Sequence, residues 1–135
     1  MAGFVNVDPS DAVPIWKQIE DGVRRLAVSG SSPAGTAVPS VRELARELRV
    51  NPATVAKAYN RLADAGVLVV RRGEGTFFAE RSTKVIQADR RRILAEGARR
   101  FAEVALSVKA GRAEAAEQLD RDFEKKQSNE SGVEA

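Results

Sequence analysis

Apolar positions recur along this chain at helical spacing, with one short exception. Ile15, Ile19, Val23 and Leu26 fall on one face of a segment that opens at Pro14 and predicts a helix to about Ser29. Val41, Leu44, Ala45 and Leu48 repeat the pattern over a shorter span, and Val55, Ala58, Tyr59 and Leu62 do so again. Between Val67 and Arg72 the period disappears and a β-branched run of strand length takes over, returning after Gly73-Glu74-Gly75 as Thr76-Phe77-Phe78-Ala79. This is a hairpin with residues at its tip that tolerate positive φ. Gly35 to Val38 is expected to add a short strand beside it.

The punctuation agrees with the pattern. Ser40 followed by Glu43 is a capping box, in which each residue's side chain serves the other's backbone amide. Asn51-Pro52 restarts a helix, since Asn caps well and Pro is preorganised at the first helical position. The residue before Pro is steered away from helical angles, so Arg49-Val50-Asn51 reads as a sharp turn. The following helix is expected to end near Ala65, with Gly66 beyond it. Residues 1–13 read as an extended, partly mobile lead. Ser29 to Pro33 is a loop by composition. Trp16, beside the first stripe, is expected to pack against the hairpin or the tail.

After Ala79 the character changes. Ile86, Ile93, Gly97, Phe101, Val104, Ala105 and Val108 are spaced mostly by three, four or seven, which predicts one long helix with a narrow apolar stripe, of the kind that needs a partner. A second helix follows from Arg112 to about Lys126, with Ala116, Leu119 and Phe123 inward. Residues 127–135 are small and polar and are expected to be disordered. The domain reading is therefore 1–80, 81–126 and a tail. Arg90 to Arg92 and Arg99-Arg100 read as a solvated helix face partnered by Glu96 and Glu103.

The fold class is mostly α with a small β wing: a winged helix-turn-helix domain followed by a two-helix C-terminal segment. That order points to DNA. A helix that enters the major groove needs small residues and a few donors on its leading turns. Ala53, Thr54, Lys57, Asn60 and Arg61 supply them, with Ala56 among them. Arg71 and Arg72 flank the hairpin tip, where a wing meets phosphates. Ser40, Arg42, Asn51, Gly73, Gly75 and Thr76 complete the expected DNA-binding set.

Charge sharpens this only locally. The chain has 22 basic and 19 acidic residues, a net +3. Between Arg42 and Arg72, however, seven basic residues face three acidic ones, the footprint of a nucleic-acid site. With no cysteine and no histidine, disulfides, Cys/His metal sites and His-assisted nucleophiles are excluded. No catalytic residue, metal site or cofactor is expected. The charged first twenty residues do not read as a signal peptide, and no apolar run approaches the ~18 residues of a membrane span; the expected location is the cytoplasm.

Together PIWKQI, PSVRELARELRVNPATVAKAY and RRGEGTFFA make the chain resemble the GntR family of bacterial transcription regulators, from Pro14 to Ala79. VRELA with VNPATVAKAY is most similar to its short YtrA-type subfamily. At Arg49 many members carry Gly, and at Pro52 and Ala56 many carry Arg. The resemblance implies a regulator that binds a double-stranded palindromic operator as a homodimer, as a repressor, in control of a transporter operon. The dimer residues expected are Ile86, Ile93, Gly97, Phe101, Val104, Val108, Leu119 and Phe123. The identity of any small-molecule effector is unknown, and two helices alone are not expected to enclose a sizeable pocket. The competing reading is a winged-helix assembly module without sequence-specific DNA binding.

Overall fold

The computed structural model describes residues 3–134. In chain order it has α1 (Ile15–Ser29), α2 (Val41–Leu48), α3 (Pro52–Asp64), β1 (Leu68–Arg71), β2 (Gly75–Phe78), α4 (Thr83–Ser107) and α5 (Arg112–Glu134). The chain divides into two compact units, residues 1–91 and 92–135. The boundary therefore falls inside α4 and not at residue 80. The reason is electrostatic: Asp89, 4% exposed, is ion-paired to Arg24 of α1 at 3.4 Å and to Arg81 at 3.2 Å. The first turns of α4 are thereby held to the first unit.

In that unit α1 and α2 pack on α3. The predicted stripes are the core: Ile19, Val23, Leu44, Val55, Ala58 and Leu62 are fully buried. Val67, Leu68 and Phe78 close it from the hairpin side. The strands pair antiparallel in the register Leu68↔Phe78 to Arg71↔Gly75. The short strand expected at Gly35–Val38 is an isolated bridge, Ala37↔Phe77, lengthened by Val38 N–H donating to the Thr76 carbonyl at 2.9 Å.

The lead is not free. Val5 is 6% exposed in the core, Phe4 and Val7 pack against it, and the Phe4 and Phe78 rings lie 6.3 Å apart. Gln18 ties the segment down further, donating from Nε2 to the carbonyls of Asp8 and Val13 at 2.9 and 2.8 Å. The expectation of a mobile lead is corrected for Phe4 to Val13: three apolar residues within four positions are too few to show a period but enough to bury.

The second unit holds the rest of α4 and α5. A turn with Lys109 at φ 59° joins them, and Ala110 N–H donates to the Ala105 carbonyl at 2.8 Å. Arg99 bridges Glu96 and Glu103, and Arg100 pairs with Glu96 at 3.3 Å, the solvated face expected. The Arg99 hydrogen bond holds the Glu96 carboxyl below its usual range. Helix α5 continues to Glu134, so the expected stop at Lys126 and disordered tail are corrected. Lys125, Lys126, Gln127 and Glu130 are good helix formers with no Pro among them, and elongation of an existing helix needs no new nucleus. Ala135 lies outside the described residues. Among the described residues no helix is long and apolar enough to cross a membrane.

Candidate nucleic-acid interface

The interface begins with the cap of α2. Ser40 Oγ accepts the Glu43 amide at 3.1 Å, and the Ser40 amide donates to Glu43 Oε1 at 3.2 Å. That backbone hydrogen bond, then the hydroxyl, holds the Glu43 carboxyl below its usual range. Arg42 is exposed on the first turn.

The helix stops at Arg49, which takes the left-handed conformation, φ 59° and ψ 48°. Val50 N–H then reaches back to the Ala45 carbonyl at 3.0 Å. A side chain in this region costs about 1–2 kcal/mol against right-handed backbone, and the two helices around it hold it there. Asn51 restarts the chain: its Oδ1 accepts the Ala53 amide at 2.8 Å, with Pro52 at the first helical position. Tyr59 fastens α3 from below, its hydroxyl donating to the Pro39 carbonyl at 2.7 Å. Burial, followed by the charges of Glu43 and Glu47, pushes this phenol well above its ordinary range.

What α3 leaves outside is Ala53, Lys57, Asn60 and Arg61, exposed, with Thr54 and Ala56 half-buried. The two cations are not alone. Lys57 Nζ lies 4.4 Å from the centre of the Trp16 ring, and the Arg61 guanidinium carbon 4.8 Å from it. Arg61 Nε also donates to Glu20 Oε2 at 3.0 Å. Glu20 is 2% exposed and has Arg24 as a second cation at 3.7 Å. Trp16, expected against the hairpin or the tail, thus meets the exposed side of α3. Its place follows from α1 crossing α3: Trp16 and Glu20, one turn apart, face Lys57 and Arg61, one turn apart.

At the hairpin, Glu74 N–H donates to the Arg71 carbonyl at 2.9 Å. Gly73 has φ 79°, the positive angle a type II turn requires at its third position. Arg71 stacks on Phe77 at 4.8 Å. Arg71, Arg72, Gly73 and Gly75 are exposed, and Thr76 is half-buried. All thirteen expected DNA-binding residues lie in the first unit, on the start of α2, along α3 and around the hairpin. The sequence reading missed Glu20, Arg24, Arg81 and Asp89. A buried charge has no signature in a local pattern, although Glu20 lying one turn after Trp16 was a usable hint.

The expected dimer residues divide. Ile93, Gly97, Phe101, Leu119 and Phe123 line an open apolar groove of about 780 Å³ in the second unit. Ile86 belongs to the first unit. Val104 and Val108 are 58% and 70% exposed and do not line the groove. Leu119 and Phe123, expected inward, are 45% and 64% exposed, because two helices cover only one side of each other. A Cβ on Gly97 would meet nothing within 4 Å, so this glycine marks no close crossing within the chain.

Among the described residues no cluster of His, Cys, Asp and Glu could hold a metal. The family model of bacterial regulatory proteins of the gntR type matches residues 16–78. The HTH-type transcriptional repressor YtrA of Bacillus subtilis is 39% identical over 77 residues, which are 57% of this chain and 59% of that protein. The match therefore spans about six-tenths of the relative's length. A solved GntR-family transcription factor, YtrA from Sulfolobus acidocaldarius, is 35% identical with a TM-score of 0.55, over 69% of this chain and 99% of that one. A GntR family transcriptional regulator from Listeria monocytogenes is 28% identical with a TM-score of 0.68, over 85% of this chain and 98% of that one.

Proposed function

The chain belongs to the GntR family of DNA-binding transcriptional regulators and not to an enzyme class, and from that premise we propose that it is a repressor binding a palindromic operator as a homodimer in the cytoplasm. The observation that carries the reading is the first unit's assembly: a capped α2, the tight turn at Arg49, α3 with small residues and Lys57 outward, and a hairpin tipped by two exposed arginines. Phosphates meet the helix starts and the wing, while bases meet α3.

The groove of the second unit supports the homodimer. Leu94, Leu106 and Phe123 are each 64–74% exposed, and contiguous apolar surface of this kind marks an interaction site. A two-fold dimer places two α3 helices on half-sites about one DNA turn, ~34 Å, apart. The similarity to YtrA, named a repressor, supports the negative sign of regulation. Resemblance to the short subfamily supports a transporter operon as the target. The test is a gel shift with the DNA upstream of the chain's own gene, at physiological salt with competitor. A discrete complex that survives competition is expected. Retardation lost to competitor would favour a winged-helix assembly module.

A further inference from the structure

We propose that Trp16 is a positioning residue for base readout: its indole face holds Lys57 in place on the outer side of α3 before DNA arrives. The inference rests on the DNA-binding reading above and deepens it. Lys57 and Arg61 are like charges one turn apart, an arrangement that repels on a bare helix. Here α1 supplies what each needs. The Trp16 ring lies under both, at 4.4 and 4.8 Å, inside the ~6 Å reach of cation–π attraction.

Glu20 divides their roles. This buried carboxylate takes the Arg61 Nε–H at 3.0 Å, so Arg61 is committed to α1. Among the described residues Lys57 has no carboxylate within ion-pair distance. Its ammonium rests on a π face, a contact weak enough to exchange for a base edge or stay in place beside one. A lysine otherwise carries a large rotamer entropy on four flexible bonds. Ordering it in advance is worth roughly threefold to tenfold in affinity. Phosphate contacts of the wing are untouched by this, so the gain belongs to the selected sequence and not to DNA in general.

The experiment uses the full chain, a duplex it enriches from a random library, and a random duplex of equal length. Trp16→Tyr keeps a π face; Trp16→Leu keeps apolar bulk only. The Tyr variant is expected within about twofold of the parent, and the Leu variant roughly threefold to tenfold weaker on the enriched duplex, with both unchanged on the random one. In a Lys57→Met background the difference between Tyr and Leu should vanish. Equal affinities for Tyr and Leu, or a Leu loss that persists with Met at 57, would make Trp16 a packing residue and overturn the proposal. A readout without substitution at 16 stands beside this, because Trp16 is the chain's single tryptophan. Its emission should change on Lys57→Met and on saturation with the enriched duplex; an emission indifferent to both also overturns the proposal. If no duplex is enriched, the regulatory reading fails and this one with it, whereas enrichment with indistinguishable Tyr and Leu variants removes this one alone.

Discussion

Arg49 shows what a single residue decides in this fold. Its left-handed backbone turns α2 into α3, where glycine would do so without a steric cost. The residues on either side were legible because their signals are local: Ser40 with Glu43, and Asn51 with Pro52, announce helix starts by hydrogen-bond chemistry within four positions. Ser40→Ala should therefore lower the stability of the chain by about 1 kcal/mol in urea unfolding. Glu43 adds a pH dependence. Its carboxyl is held below its ordinary value of 4.5 by the Ser40 amide and hydroxyl, so its contribution is complete at neutral pH and lost as pH falls through the lowered value. The melting-temperature gap between the parent and Glu43→Ala should be open at pH 7 and close in acid; a constant gap would show that the carboxylate is not the active form. Arg72 belongs to this scale as well. Exposed beside the hairpin tip, it should bind phosphate, so Arg72→Ala should weaken all duplexes alike and reduce the salt slope by about one unit. An unchanged slope would remove it from the interface.

Between elements the governing contacts are charged and distant in sequence. Arg61 of α3 meets Glu20 of α1, which meets Arg24, which meets Asp89 of α4, which meets Arg81. These five side chains tie α3 to the root of α4 through α1. None of this was readable from the pattern. The Arg24–Asp89 pair is separated by 65 residues, and a charged residue on an amphipathic helix ordinarily reads as solvated. The apolar stripes, in contrast, named the core of α3 residue by residue, since burial repeats every turn. The same logic explains why the compact unit runs past residue 80: β2 ends at Phe78, but the unit continues to residue 91 with Asp89 buried inside it. Asp89→Ala would leave the largely buried Arg81 guanidinium without this carboxylate and Arg24 with Glu20 alone among the described residues, and a loss of about 3 kcal/mol is expected. An unaltered urea midpoint would mean that these pairs contribute nothing net to holding α4.

At the scale of the whole molecule, the proposed pairing of two chains rests on the apolar groove of the second unit. Periodicity located its helices, yet it could not say which apolar residues one chain covers; Leu119 and Phe123 looked internal and are exposed. Phe101, half-buried, and Phe123, 64% exposed, both line the groove, and each gains from a partner up to the ~1.5–3 kcal/mol of fully burying such a side chain. Phe101→Asp should therefore yield a folded monomer in sedimentation at micromolar concentration. It should also bind a palindrome far more weakly than the parent, because the second half-site is no longer engaged within one complex. A dimer unaffected by this change would place the contact elsewhere. A homodimer reading two half-sites would fix the mass of the protein–DNA complex. Sedimentation of the full chain on a palindromic duplex it selects should give two chains per duplex, formed in one step without a populated one-chain species. One chain per duplex at saturation, with affinity equal on a single half-site, would mean that the chain binds as a monomer.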